Sequence, residues 1–573
     1  DRVADRLLEI RALLEFGGEQ FFKFMAYERA AEAVRNAPPL ADLIARDALT
    51  SVPGIGKGIA AKIEAIVAMG TCDLLEELRA KYPPTLLEVL NVSGIGIKTA
   101  QQLFEQRGIA SLADLEAAIE SGALEGVARL GPKTIANIKR GVLAYKGRRF
   151  RTPLGLARPL ADTLIKWIAQ GAPADRLTVA GSVRRQEETV GDIDIICTSA
   201  HPDAVIARFV ACPEARALLA EGPTKASIWL EGGLQIDLRV LPASVYGNLL
   251  QHFTGSREHN IQLREYAVRL GVRVSENGIL DLASGENRTC ETEEEVYAAL
   301  GMAYIPPEMR SGTGEIDAAR SGTLPAVVDV TQLRGDFHMH SSYSDGRHSL
   351  EAMIAAVAAR GYAYHAISDH SWGRRTYGVD PATLRAQRAS VAEIGGKYGV
   401  RTLCGSEVDI REDGSLDFDD SVLAELDLVI ASVHSGFNLS REAMTARLIR
   451  ACENPYVTII GHPTGRNVGA FAGYAFDYDA VFRAAARTGT ALEIDGQPER
   501  LDLPAPLARR AREYGVTFAC DSDAHGVEQL SNVAYAVGQA RRAWIGAEQV
   551  LNARPLEDVL AFIAAKRAAS QAK

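Results

Sequence analysis

Between residues 335 and 525, short apolar runs end repeatedly on an imidazole or a carboxylate. DFHMH closes on His340, AISDH on His370, VIASVH on His434 and IIGH on His462, while LCGSEVDI holds Glu407 and FACDSDAH holds Asp523 and His525. This recurrence constrains the fold more than any other feature of the chain. Short apolar runs that alternate with helical stretches read as parallel strands buried on both faces. Polar residues gathered at successive strand C-termini are what a (β/α) barrel produces. If Gly335 to His340 is a strand, its period of two sends His338 and His340 to one side, and Asp345 on the following loop adds a hard oxygen donor. One such histidine pair is a weak signal. Six of the eleven histidines at strand ends, each with an acid or glycine nearby, make a metal cluster the expectation. His348 opens a helix and His365 starts a strand, so neither is expected to ligate.

The first half of the 573-residue chain has a different character. Residues 1–150 are helical in pattern and carry two close glycine repeats, SVPGIGKGIAAKI at 51–63 and NVSGIGIKTAQQL at 91–103, with a weaker relative, ARLGPKTIANIKRG, from Ala128. A glycine turn entering a helix leaves N–H groups pointing outward, which suits a phosphate oxygen regardless of sequence. Gly54, Gly56, Gly94 and Gly96, with Lys98 and Lys133, are the expected phosphate contacts. These elements resemble helix-hairpin-helix motifs, which grip DNA strands by their phosphates. The net charge of -10 does not advertise nucleic-acid binding, yet residues 129 to 151 hold eight lysines and arginines and no carboxylate. Such a run serves equally as a solvated helix face or as a DNA-facing one.

From Leu177 the pattern turns to short strands, and LTVAGSVRRQEETVGDIDIIC dominates. Asp192 and Asp194 alternate with isoleucine, so both carboxylates face one way, and Asp237 in LQIDLRV repeats the arrangement. Parallel carboxylates repel unless a divalent cation lies between them, and hard oxygens favour magnesium or manganese. Gly181 and Ser182 form a turn followed by Arg184 and Arg185, suited to a polyphosphate. The constellation resembles the nucleotidyltransferase palm of family X DNA polymerases, the group that contains polymerase β. The likeness runs to about residue 310 through HFTGSREHN at 252–260 and YIPPEMRSGTGEI at 304–316. It implies that Asp192 and Asp194 hold two Mg2+ or Mn2+ ions and Asp237 the catalytic one. By the same resemblance Gly181, Ser182 and Arg185 hold the triphosphate, while Phe253, Gly255 and Asn260 line the nucleotide pocket. Lys62 occupies the place of the family's lyase lysine; an ordinary phosphate-binding lysine is the equal alternative. His252 and Arg257 depart from the polymerase β pattern, which has tyrosine and aspartate there, so sugar discrimination does not carry over.

Residues 311–334, rich in Gly, Ser, Thr and Ala, read as a linker. Beyond it the chain resembles the PHP (polymerase and histidinol phosphatase) domain. That family's nine ligand positions are filled by His338, His340, Asp345, His370, Glu407, His434, His462, Asp523 and His525, implying up to three Mn2+ or Zn2+ ions. In LEIDG, the family pattern has asparagine where this chain has Asp495, which is not a ligand position. The expected fold is multidomain α/β: helix-hairpin-helix domains at 1–80 and 81–150, a mixed-sheet palm at 151–245, a nucleotide-pocket subdomain at 246–310, the linker, and a distorted (β/α) barrel of PHP type at 335–573.

Together the halves resemble bacterial family X polymerases with a C-terminal PHP nuclease. The resemblance implies a monomeric repair enzyme that fills gapped or primed DNA from dNTPs and trims 3′ ends with manganese, leaving 3′-phosphatase and abasic-site endonuclease activity open. Two rivals are a small-molecule phosphoesterase of histidinol-phosphatase type tethered to a DNA-binding module, and a non-catalytic DNA-end scaffold; intact ligand sets argue against both. Seven unpatterned cysteines imply reduced thiols. With no apolar signal core or membrane-length run, the expectation is a cytoplasmic, nucleoid-associated protein without a membrane partner.

Overall fold

The computed structural model describes residues 2–36, 40–52, 54–90, 92, 95–127, 130–149, 151–230, 234–373 and 377–571. It divides into two units, residues 1–150 and 151–573. The first unit is built of helices around two cores. One gathers Leu7, Ile10, Leu13, Ile63 and Leu75; the other gathers Leu86, Val89, Leu103, Leu115 and Ile138. Helix Lys57–Met69 buries Ala60, Ile63 and Ile66, and helix Ile97–Arg107 buries Ala100 and Leu103. Each is thus held by a single apolar stripe, and each starts directly after a glycine, Gly56 and Gly96.

The second unit opens with a five-stranded mixed sheet in the order 176–179, 192–198, 235–241, 225–230 and 215–222. Strands Asp192–Thr198 and Gln235–Leu241 run parallel, in a register that sets Asp194 beside Asp237. Ile193, Ile195, Ile236 and Leu238 enter the core, so period-two alternation leaves Asp192, Asp194 and Asp237 on the open face. The following helices and a small three-stranded sheet pack around a buried ionic network. Arg310 Nη1 lies 2.5 Å and Arg184 Nη2 2.6 Å from Glu293, while His259 sits 2.8 Å from Glu315 and 2.9 Å from the Tyr297 hydroxyl.

The 311–334 segment is ordered, unlike a flexible linker. It contains helix Glu315–Ser321 and buries Ile316, Ala319, Val328 and Leu333. The Val328 N–H donates to the Ile545 carbonyl at 2.9 Å, which anchors the segment in the C-terminal domain.

That domain carries six parallel strands in chain order, from Tyr364–Ile367 through Arg401–Asp409, Leu428–Ser432, Ile459–Ile460 and Ala491–Asp495 to Phe518–Asp521. Residues 336–340 lie between the first and last strands rather than forming a regular strand. The N–H groups of Ala366 and Ser368 donate to Asp336 and Met339 carbonyls, both at 3.0 Å, while the His340 N–H donates to Ala524 at 2.8 Å. The sheet therefore curls so that one segment bonds to both of its edges. Among the described residues no helix is long and apolar enough to cross a membrane, and all seven cysteines are free and buried.

Candidate active sites

The strand ends of the C-terminal domain bring the histidines and acids into one buried cluster. Three groups have ligand atoms within 4.8 Å of one another: His340, Asp345, His370 and His525; His338, His340 and Asp523; His370, Glu407 and His434. The ninth expected residue, His462, falls outside these groups but places Nε2 2.8 Å from Glu407 Oε1. Glu407 is the hub. Its oxygens also lie 3.1 Å from His434, 2.9 Å from His370, 3.3 Å from His338 and 3.6 Å from His340. His338 Nε2, His340 Nδ1 and His370 Nδ1 are buried without a hydrogen-bond partner, although carboxylates stand close by. Donor atoms that crowd together without bonding one another fit shared cations, and mixed imidazole and carboxylate donors suit manganese or zinc better than magnesium.

Two further carboxylates hold the rings from behind. Glu493 accepts from His338 Nδ1 at 2.6 Å and from the His462 N–H at 2.6 Å, and Asp409 meets His434 Nδ1 at 2.6 Å. Such partners fix the imidazole orientation and free the opposite nitrogen for a metal. Sequence reasoning missed both, although an acid inside the apolar run ALEID was a signal. Asp495 is buried beside the cluster; burial first, then Asp523 and Glu493, raises its carboxyl well above the usual range. Burial alone would keep His370 neutral, but Glu407 and Asp345 raise it to about 10. His340 moves down to about 3 through burial and the neighbouring His370 and His525. His462 and Asp523 have positive φ, 26° and 47°, so two of the candidate ligand positions carry backbone strain. His365, expected not to ligate, bonds Thr402 Oγ1 at 2.9 Å, and the His348 ring accepts from the Val527 N–H at 3.4 Å.

The palm site is looser. Asp192, Asp194 and Asp237 do not form a group within that 4.8 Å spacing. Asp237 accepts hydrogen bonds from Ser227 Oγ and from Gln235 Nε2, the latter at 2.9 Å. Burial, then Asp192 and Asp237, pushes the Asp194 carboxyl up to about 8. Gly181, at φ 62°, allows the turn to approach Asp194. Ser182 Oγ is buried with no partner, which fits a phosphate acceptor. Arg185 donates to the Thr254 carbonyl at 2.5 Å and its guanidinium lies beside Gly255. Phe253 carries the Arg239 guanidinium 4.5 Å over its ring. The Asn260 amide donates to the His252 carbonyl at 2.7 Å and accepts from Gln251 at 2.9 Å, bracing the 252–255 turn.

In the first unit, Gly56 and Gly96 have ordinary φ values of -82° and -89°, and a Cβ at either would meet nothing within 4 Å. Both glycines are the N-cap residues of their helices, and with no side chain and nothing packed against them they leave the helix N-termini open to close approach from outside. Gly54, at φ 97°, does shape the turn. Lys98 is exposed, Gly94 lies outside the described residues, and the side chain of Lys133 is likewise not described. Lys62 Nζ donates to the Gly58 carbonyl at 3.1 Å.

Comparison with known proteins matches residues 1–72 to the helix-hairpin-helix domain family and 86–142 to the SAM-like helix-hairpin-helix tandem. Residues 249–311 match the DNA polymerase beta thumb, and 336–466 match the PHP domain. The PHP match ends before Asp523 and His525, which the fold returns to the cluster. DNA polymerase/3′-5′ exonuclease PolX of Bacillus subtilis is 36% identical over 563 residues, covering 97% of this chain and 98% of that protein. A probable phosphatase of Syntrophotalea carbinolica is 32% identical over 258 residues, covering 42% of this chain and 98% of that protein. DNA polymerase lambda of Rattus norvegicus is 27% identical over 292 residues, covering 45% of this chain and 48% of that protein.

Proposed function

Because the chain belongs to the bacterial PolX group of family X DNA polymerases, which carry a C-terminal PHP domain, we propose that it fills short gaps in DNA and trims 3′ ends at two separate metal sites. The observation that carries this reading is the pairing of a parallel-strand carboxylate trio beside an unpartnered Ser182 hydroxyl with a buried histidine cluster of different chemistry. In the palm, Asp192, Asp194 and Asp237 would hold two Mg2+ or Mn2+ ions. Gly181, Ser182 and Arg185 receive the triphosphate, and Phe253, Gly255 and Asn260 form and brace the wall against which the nucleotide lies. In the barrel, His338, His340, Asp345, His370, Glu407, His434, His462, Asp523 and His525 would hold up to three Mn2+ or Zn2+ ions. When bound, such ions neutralise charge at phosphorus and make water or a 3′-hydroxyl nucleophilic. The protein's own part is to fix the donors, with Glu493 and Asp409 locking the rings, and to keep the two ligand sets on separate folds.

The glycine turns at 54–56 and 94–96, with Lys98 and Lys133, would hold DNA by its phosphates, so gap position and not base sequence directs binding. For Lys62, borohydride trapping on incised abasic DNA separates a Schiff-base role from a phosphate contact. The test of the whole reading is a 5′-labelled primer on gapped DNA: it should lengthen with dNTPs and shorten without them in manganese. A protein that cleaves small phosphomonoesters but leaves the primer unchanged in both conditions is a phosphatase, and the proposal fails.

A further inference from the structure

The loops that leave the ligand-bearing strand ends also carry aromatic rings. Tyr343 follows His340, Trp372 follows His370, Phe437 follows His434 and Phe471 follows His462, and these rings are 37, 53, 39 and 42% exposed. Among the described residues of 151–573 the one other exposed aromatic is Tyr398, whose hydroxyl bonds Glu351 away from these loops. The rings are fixed while their faces stay open. Trp372 Nε1 donates to the Asp417 carbonyl at 3.2 Å; Phe437 stacks on buried Tyr474, with centroids 6.0 Å apart and planes at 10°, and meets Phe471 at 5.9 Å. Phe471 also lines a cleft of about 490 Å³ whose other wall is Glu188 and Thr189 of the palm domain.

Exposed apolar rings concentrated on one rim mark a binding surface. Any phosphodiester that reaches the buried donors must lay its flanking nucleotides across these same loops. Bases within a duplex already stack on one another, whereas unpaired bases offer free faces to rigid rings, and this stacking is tolerant of sequence. We propose that Trp372, Phe437 and Phe471, with Tyr343, form a stacking platform that holds the 3′-terminal bases of the DNA strand entering the barrel site. This deepens the nuclease reading above and rests on it.

The test uses the full-length protein and Trp372→Leu, Phe437→Leu and Phe471→Leu, which keep apolar bulk and remove the π face. Each should raise KM for a single-stranded oligonucleotide roughly tenfold, with little change in kcat. Hydrolysis of a glycerophosphodiester, which has neither a base nor an aromatic ring, should stay at the parental rate and certify an intact cluster. A 2-aminopurine placed at the 3′ end should be quenched on binding the parental protein in EDTA, less so by the variants, with Trp372→Phe restoring the quench. Parental KM and quenching in all three variants would overturn the platform, as would equal losses on the oligonucleotide and on the base-free ester. If the parental protein hydrolyses the ester but no oligonucleotide, the nuclease reading fails; quenching, which needs no cleavage, still decides the platform.

Discussion

In the palm, three carboxylates come from two neighbouring strands of one sheet, remain half-buried, and do not close to 4.8 Å. In the barrel, the candidate ligands come from six separate stretches of chain, most are fully buried, and Glu407 alone touches five imidazoles. The two sites therefore differ in what assembles them. The palm trio has no imidazole among its acids, so divalent cations would be needed there to offset its own repulsion. The barrel's acids already have histidines beside them, and carboxylates behind the rings hold the donors in place, which suits resident ions. Hard oxygens alone accept magnesium, while mixed nitrogen and oxygen donors favour manganese or zinc.

The largest effect should come from the hub. Glu407→Gln removes the charge shared by five rings and should lower 3′ trimming about 10³-fold, with retained metal measured by elemental analysis; near-parental metal content would show that Glu407 is not central. A step down, Glu493→Gln keeps every candidate ligand but loosens His338 and His462, and should weaken metal affinity about 10- to 100-fold in a chelator competition. Unchanged affinity would reduce Glu493 to a packing residue.

The palm offers a proton-linked test. In chelator the folded protein should hold a proton at Asp194 that the unfolded chain, with an ordinary carboxyl, releases near neutral pH. A raised acid pKa in the folded state makes stability fall as pH climbs from the normal carboxylate range towards about 8. Cation binding at pH 7 should then release about one proton, seen by calorimetry in buffers of different ionisation enthalpy. Asp194→Asn should abolish both the release and the pH slope. The smallest effect belongs to the glycine turns: Gly56→Val or Gly96→Val should remove about one phosphate contact, weaken binding to all sequences alike, and make the salt dependence shallower by about one unit of slope.

Much of this was legible in the sequence because the fold writes it in short periods. Alternation of isoleucine with Asp192 and Asp194 gave their common face, and strand ends on His370, His434 and His462 gave the barrel. The acid in ALEID marked Glu493 as unusual, but the roles of Glu493 and Asp409 were not legible, because they depend on which ring lies opposite, across distances of 155 and 25 residues. The Arg184–Glu293–Arg310 network escaped for the same reason. Residues 311–334 misled through composition: their glycines, serines and threonines surround Ile316, Ala319, Val328 and Leu333, and burial of those four outweighs the polar content.

The central claim, that one chain carries two metal sites that work independently, is tested by exchanging damage between them. Asp192→Ala with Asp194→Ala should abolish primer extension while 3′ trimming in manganese continues at the parental rate. His338→Ala with His340→Ala should abolish trimming and its bound metal while gap filling persists, with more full-length product because nothing shortens it. Circular dichroism matched to the parent establishes that each variant is folded. A folded histidine variant that still digests 3′ ends at the parental rate in manganese would contradict the account.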